Sequence, residues 1–289
     1  MIVIGPIDGF SEKIARHLSA DFIELNRRVF PDGEICPRIM LDKDIAGQHV
    51  VLVNRINRPI NPNRYLVEYL ITIKNLKDLG VEEIDVVMPY FVYARQDKIF
   101  RKGEPLSTKY ILEMLKQAGA TRFFCVSSHF QKEEGKFNAP LPAFNISGFV
   151  SIAEYLKQLN LNNPLILGPD KKSGQFAKQI ADILNCESSY MEKKRNLDTG
   201  EVKTKTELDV AGRDVVITDD IASSGSTLVN SIENLKNPDR IICTVVHPIL
   251  TGDCLEKVSA NSRFIACNTI ESPISKISIA KRISEFIGG

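Results

Sequence analysis

Between Arg213 and Leu228 the chain reads Arg-Asp-Val-Val-Ile-Thr-Asp-Asp-Ile-Ala-Ser-Ser-Gly-Ser-Thr-Leu, and few folds accommodate that order. Val215 to Ile217 is a short β-branched run suited to a strand buried on both faces, which implies a parallel sheet covered by helices. Asp219 and Asp220 follow where such a strand leaves the sheet. Ser223, Ser224, Gly225, Ser226 and Thr227 are small and mostly hydroxylated, and Leu228, Ile232 and Leu235 mark the apolar stripe of a helix at i, i+4 and i+7.

Each part has a physical task. N–H groups at a helix N-terminus lack backbone partners and sit at the positive end of the dipole, so a loop of small residues can wrap them around a phosphate. Two carboxylates just upstream can accept hydrogen bonds from ribose hydroxyls. An acidic strand end followed by an ordinary Ser-capped helix has the same outline, so the string alone leaves both open.

The 289 residues suffice for two compact α/β units. With 37 basic and 36 acidic side chains the net charge is +1, so no global field points to nucleic acid or an anionic membrane. No apolar run approaches the roughly 20 residues that cross a bilayer, and Met1 to Gly5 do not read as a signal segment. A soluble cytoplasmic protein is expected. The six cysteines form no Cys-x-x-Cys pair, which argues against a zinc knuckle or a disulfide framework and makes them small core residues.

Along the chain, Met1 to Ile4 predict a strand, Ser11 a helix cap, and Asp21 to Leu25 a second strand. Phe30-Pro31-Asp32-Gly33-Glu34 reads as a turn presenting a ring and two acids, or simply as a solvated hairpin tip. His49 to Val53 predict a strand, Tyr65 to Leu79 a helix ended by Gly80, and Ile84 to Met88 a buried strand. The run from Pro89 to Pro105 interleaves aromatic rings with Arg and Lys. It suits either the polyphosphate and base of a nucleotide or a basic surface. Ser107 is expected to cap a helix, and His129 stands just past a strand from Arg122 to Val126, where a metal or substrate is better served than in a core. Asn138 to Pro142 reads as a linker, giving domains of 1–142 and 143–289. In the second, Phe149 to Leu159 predicts a helix and Leu165 to Leu167 a strand ending at Asp170. Tyr190 to Gly200 predicts a charged loop or hairpin.

The halves echo one another. Arg122, Cys125 and His129 recur at the same offsets as Arg240, Cys243 and His247, each set after a Val-Val strand and a helix. Two doubly wound parallel-sheet units related by duplication are therefore expected, only the second keeping a phosphate loop.

Taken in order, several stretches resemble the ribose-phosphate pyrophosphokinase (PRPP synthase) family, and the 213–228 string resembles the ribose-5-phosphate motif of type I phosphoribosyltransferases. They are the Phe-Pro-Asp-Gly-Glu turn, Pro89-Tyr-x-x-Tyr-Ala-Arg-Gln-Asp-Lys98, Gly103-Glu-Pro-Leu-Ser107, His129, Pro169-Asp170 and Lys193-x-Arg195. The resemblance implies that Asp32, Gly33 and Glu34 contact the adenine of ATP, with Phe30 stacking across the subunit interface of a homo-oligomer. It implies Arg95 and Gln96 on the nucleotide, His129 and Asp170 on Mg²⁺, and Lys193 and Arg195 as the catalytic pair. Asp219, Asp220 and Ser223 to Thr227, with Arg195, would form the ribose 5-phosphate site.

The chain departs from the family at Ser127-Ser128, where Asp-Leu is frequent, and at Ser223-Ser-Gly-Ser-Thr227, where Asp-Thr-Ala-Gly-Thr is frequent. The second change removes a negative charge beside the phosphate and leaves the glycine and the terminal Thr in workable places. With the modest length, this resembles the shorter archaeal-type forms. The implied reaction is attack of the ribose 1-hydroxyl on the β-phosphorus of ATP, giving PRPP and AMP. No Walker A string and no Gly-x-Gly-x-x-Gly occur, so ATP would be held by other means. A nucleobase phosphoribosyltransferase would share residues 213–228 without needing the first domain, and a non-catalytic binding subunit would not need His129, Asp170, Lys193 and Arg195 together.

Overall fold

The computed structural model describes residues 1–131, 133–195, 202–204 and 207–289, and of 193–195 and 202–204 the backbone only. The chain divides into one unit of Met1–Ile146 with Ile279–Gly289, and another of Ser147–Ser278.

The first unit runs β1 (Ile2–Gly5), α1 (Ser11–His17), β2 (Asp21–Val29), β3 (Ile35–Ile39), β4 (His49–Val53), α2 (Pro62–Asp78), β5 (Glu83–Val87), α3 (Ser107–Ala118), β6 (Arg122–Val126), β7 (Gly135–Phe137) and β8 (Ala143–Ile146). The second has α4 (Gly148–Leu156), β9 (Leu165–Gly168), α5 (Lys171–Leu184), β10 (Glu187–Tyr190), β11 (Lys193–Arg195), β12 (Val202–Thr204), β13 (Leu208–Asp209) and β14 (Asp214–Ala222). It continues with α6 (Ser226–Glu233), β15 (Leu235–Lys236), β16 (Arg240–Pro248), α7 (Cys254–Ser259), β17 (Arg263–Cys267) and β18 (Ser275–Ile277). The last helix, α8 (Ala280–Gly288), returns to the first unit.

The sheet orders are β3-β2-β1-β4-β5-β6-β8-β7 and β10-β9-β14-β16-β17-β18. With the antiparallel strands β3 and β7 set aside, both units pair six parallel strands in one order, the second beside the first, then the third to the sixth. The expected duplication has this form. A clearer echo than the Arg-Cys-His one stands at the first strand of each. Gly5-Pro6 and Gly168-Pro169 end β1 and β9, and Asp8 and Asp170 then each accept two amides at 3.0 Å, from Phe10 and Ser11 and from Lys172 and Ser173. A Cβ on Gly5 would lie 2.6 Å from Ser11 Oγ, and one on Gly168 2.3 Å from the Gly174 nitrogen, so both strands need glycine where a helix start presses against them.

The Arg-Cys-His echo is one strand out of step, because β6 is the fifth parallel strand of its sheet and β16 the fourth of its own. Its arginines do share a task. Arg122 grips the buried Asp85 of the neighbouring strand with Nε at 2.8 Å, and Arg240 grips buried Asp214 in the same way at 2.8 Å. Its histidines do not: His247 is buried within β16 against Thr269 Oγ1 at 2.9 Å, whereas His129 lies beyond the end of β6.

Several local expectations change. Ser11 and Ser107 are the first residues inside their helices and make no cap; Asp8 supplies the cap of α1. Helix α2 begins at Pro62, earlier than Tyr65, because Asn61 Oδ1 accepts the Arg64 amide at 3.0 Å and proline suits the first helical position. Helix α4 stops at Leu156 and passes into a 3₁₀ turn over Lys157–Leu159. Residues Asn138 to Pro142 are no linker; Leu141 is buried and the stretch joins β7 to β8. The division falls after Ile146, and residues 279–289 differ from the expected second domain in packing with α1, where Ser284 Oγ donates to Ile14 O at 3.5 Å.

Each sheet is dry where it must be. Val215, Val216 and Ile217 are 0% exposed, as are Val51 and Leu52 at the centre of the first sheet. Full burial of such a side chain is worth about 1.5–3 kcal/mol.

Candidate functional site

Strand β14 is longer than its apolar run. It stays paired with β16 as far as Ala222↔Pro248, but with β9 only as far as Ile217↔Leu167, because β9 ends at Gly168. Asp219 and Asp220 therefore lie inside the strand, not past it, with the β9 flank open beside them. In the opened flank stands Asp170, whose Oδ1 caps α5 and also accepts from Ser173 Oγ at 2.8 Å. Lys172 reaches Asp220 Oδ2 at 3.3 Å. Burial first, then the charge of Asp220 and further off that of Asp170, holds the Asp219 carboxyl well above the usual carboxylate range.

Beyond the acids the chain turns through Ser223 and Ser224 into α6. Leu250 N and Thr251 N donate to Ala222 O and Ser223 O at 2.9 Å, so the 249–251 segment braces the outgoing chain. Gly225 immediately precedes α6 at φ +77°, and a Cβ there would lie 2.8 Å from Cys254 Sγ and 3.0 Å from Val258 Cγ2 of α7. Ser224, Ser226 and Thr227 are exposed, and Ser224 Oγ lies 3.0 Å from Ser226 Oγ. By helix geometry the N–H groups of the first turn of α6 have no acceptor within the helix. The second unit thus gathers the first-turn amides of α6, three hydroxyls and three carboxylates along the carboxyl edges of β9 and β14, where ligands bind in open parallel sheets.

Lys193 and Arg195 belong to β11, which pairs with β12 through Lys193↔Thr204 and Arg195↔Val202. The two short strands are antiparallel. Their side chains lie outside the described residues, as do residues 196–201 of the same segment.

The remaining residues singled out from the sequence are in the first unit. Phe30 to Glu34 form the tip between β2 and β3. There Phe30 N donates to Glu34 O at 2.8 Å, Glu34 N to Asp32 Oδ1 at 3.1 Å, and Arg28 covers one face of the Phe30 ring at 4.6 Å. Gly33, Glu34 and Ile35 line a groove with Arg64, Val67 and Ile71 of α2. Arg95 is exposed, but Gln96 turns its amide inward, to Lys98 O at 2.9 Å and Glu104 Oε2 at 3.2 Å. His129 follows a turn in which Ser127 has φ +38° and Ser128 N donates to Asn145 Oδ1 at 2.9 Å. Ser127 and Ser128 are thus fastened to β8. His129 and Asp170 fall in different units.

Sequence reasoning passed over Lys172 and Glu104. The only signal for Lys172 was its place two residues after a strand-end acid; for Glu104 it was a lone acid closing a basic loop.

The first unit's counterpart of the open crevice is closed by its own chain. Arg55, from the segment after β4, sits 6% exposed with Nε at 3.1 Å from Asp8 Oδ2 and its guanidinium 5.2 Å from the Phe10 ring.

A family model described as the N-terminal domain of ribose phosphate pyrophosphokinase matches residues 5–119, and a phosphoribosyl transferase domain model matches 147–275. A ribose-phosphate pyrophosphokinase of Methanothermobacter thermautotrophicus is 36% identical over 96% of this chain and 97% of its own. One of Sulfolobus acidocaldarius is 32% identical over 99% of both. The crystal structure of phosphoribosylpyrophosphate synthetase from Mycobacterium smegmatis covers 100% of this chain and 97% of its own, with a TM-score of 0.80 at 22% identity, a likeness of fold.

Proposed function

The chain belongs to the ribose-phosphate pyrophosphokinase family, and from that premise we propose that it transfers the β,γ-diphosphate of ATP to the 1-hydroxyl of ribose 5-phosphate, releasing PRPP and AMP. The observation that carries this reading is the second unit's crevice, where exposed Ser224, Ser226 and Thr227 at the start of α6 lie beyond Asp219 and Asp220 on one strand. The 5-phosphate sits over the start of α6, held by first-turn amides in place of water. Asp219 and Asp220 accept hydrogen bonds from the ribose 2- and 3-hydroxyls and so direct C1 toward the β9 flank.

In-line transfer depends on positioning and on cancelling charge, not on covalent catalysis. The C1 hydroxyl oxygen forms a bond to the β-phosphorus, the bond from that phosphorus to the α,β-bridging oxygen breaks, and AMP leaves with the electron pair; the hydroxyl proton passes to solvent. Lys193 and Arg195 supply positive charge to the transferring group, and Arg95 grips the phosphates on the nucleotide side. The turn from Phe30 to Glu34 is assigned to the base across a subunit boundary, so the active form is a homo-oligomer.

The donor set suits Mg²⁺. Among the described residues no three His, Cys, Asp or Glu side chains cluster tightly enough to hold an ion unaided, and Mg²⁺ characteristically takes one or two protein ligands plus waters and substrate phosphates. Asp170 offers a hard oxygen beside the sugar crevice and His129 a nitrogen on the nucleotide unit. When bound, the ion would neutralise charge on the phosphate oxygens. A cytoplasmic setting is part of the same reading: all six cysteines are free.

Incubation with ATP, Mg²⁺ and ribose 5-phosphate tests the reading. AMP must appear in step with PRPP; ADP would mean single phosphoryl transfer. Lys193→Ala should lower turnover about 10²- to 10³-fold, as loss of one electrostatic donor does elsewhere. Near-normal turnover would remove its assigned role.

A further inference from the structure

The loop between β5 and α3 is held by one carboxylate oxygen. Glu104 Oε2 accepts from Gln96 Nε2 at 3.2 Å, Phe100 N at 3.1 Å and Arg101 N at 3.0 Å. The base of the loop is closed by Gln96 O, which accepts from Thr108 N at 3.3 Å and Thr108 Oγ1 at 3.1 Å. Gln96 N in turn donates to Tyr93 O at 3.1 Å, and Tyr93 has the uncommon φ of +63°. A segment without regular secondary structure is thereby pinned at its neck and across its middle. What it presents outward is unusual: Ile99 is 59% exposed and Phe100 65% exposed, among Arg95, Lys98, Arg101 and Lys102. The backbone N–H groups of Phe100 and Arg101 are both tied to Glu104.

An exposed aromatic ring on a loop that also carries Arg95, Lys98, Arg101 and Lys102 has the chemistry of a nucleoside polyphosphate site, with a ring for the base and guanidinium and ammonium groups for the phosphates. We infer that one face of the nucleotide donor's base stacks on Phe100, and that Glu104 is the positioning residue that holds that ring and Arg101 in place. Gln96 Nε2 joins Glu104 in that support. The inference rests on the proposed reading of this unit as the ATP-binding one, and it adds a base platform and its support.

The chain contains no tryptophan, so Phe100→Trp places a single indole at the point in question. Titrated with ATP, that variant should show indole quenching which saturates, while inorganic tripolyphosphate at matching occupancy leaves the emission unchanged. Phe100→Ala should weaken ATP binding roughly five- to a hundredfold, the range for loss of one base–aromatic stack. In the Phe100→Trp background, Glu104→Ala should weaken ATP about tenfold, and Glu104→Gln, which keeps an acceptor oxygen, should restore most of it. The KM for ribose 5-phosphate should stay unchanged in all of them. An indole that ignores ATP, or that responds equally to tripolyphosphate, overturns the stacking. Equal loss in the Glu104→Ala and Glu104→Gln variants overturns the positioning role. If the unsubstituted protein makes no AMP from ATP, the reaction fails whatever the indole reports. If it makes AMP while the indole is silent, only the platform fails.

Discussion

Replacing Gly225 by alanine probes the support of the phosphate loop directly. The residue sits at φ +77° and its added Cβ would meet Cys254 Sγ at 2.8 Å and Val258 Cγ2 at 3.0 Å, both belonging to side chains with 0% exposure that cannot swing into solvent. The left-handed conformation costs an L-residue about 1–2 kcal/mol, and inserting a methyl into a closed core typically costs about 1–3 kcal/mol. Lower entropy of the unfolded chain returns about 0.4–1 kcal/mol, which leaves roughly 2–4 kcal/mol lost. Urea unfolding of Gly225→Ala against the parent measures that difference. A displacement of α6 relative to Asp219 by a fraction of an ångström should also raise the KM for ribose 5-phosphate. Cys254→Ala removes the nearer obstacle, so the double-mutant cycle should show coupling of about 1–2 kcal/mol in the relieving direction. A Gly225→Ala protein within about 0.5 kcal/mol of the parent, or a cycle with no coupling, would refute the claim that α7 dictates glycine here.

Three further outcomes are expected. Tyr69→Phe should cost about 1–3 kcal/mol in urea unfolding, because the buried hydroxyl serves Asn54 N at 3.0 Å and Asn54 O at 2.6 Å and its loss leaves both without that partner. The hydrogen bond from Arg240, aided by the Asn162 amide, holds Asp214 below its ordinary 3.8; a lowered folded value stabilises above that pH and the contribution is lost as pH falls through the folded value. Urea midpoints between about pH 3 and pH 7 should therefore show a flatter acid limb for Asp214→Asn than for the parent. Deleting residues 279–289 should strip hydrogen-exchange protection from α1 and leave that of β14 intact, since α8 packs in the first unit.

Much of the crevice was legible because its parts are contiguous: strand, acids, loop and helix follow one another from Asp214 to Glu233, and each part announces itself by residue type. What periodicity could not show was pairing. Asp219 and Asp220 looked as if they had left the sheet, since nothing in their own residues reports that β16 runs on beside them while β9 stops. The false linker has a related cause. Pro140 and Pro142 mark a turn correctly, but whether a turn lies within a unit or between two depends on Leu141 being buried, which is a tertiary fact. The duplication was visible in the wrong residues. Identical letters at Arg122 and Arg240 belong to strands that do not correspond, while Asp8 and Asp170, which do, are separated from their glycines by different intervals. The partner of Gln96 was invisible for the same kind of reason, because no spacing reveals that Glu104 returns to take its amide.

The C-terminal helix alters what kind of object this is. Since α8 completes the first unit, residues 147–278 form an insertion within another body, tied at both of their ends. During synthesis the first unit cannot finish folding until the second has left the ribosome, so the order of maturation is inverted with respect to the order of the chain. A single proteolytic nick in either connection leaves the inserted body covalently joined through the other, and its complete release demands two cuts.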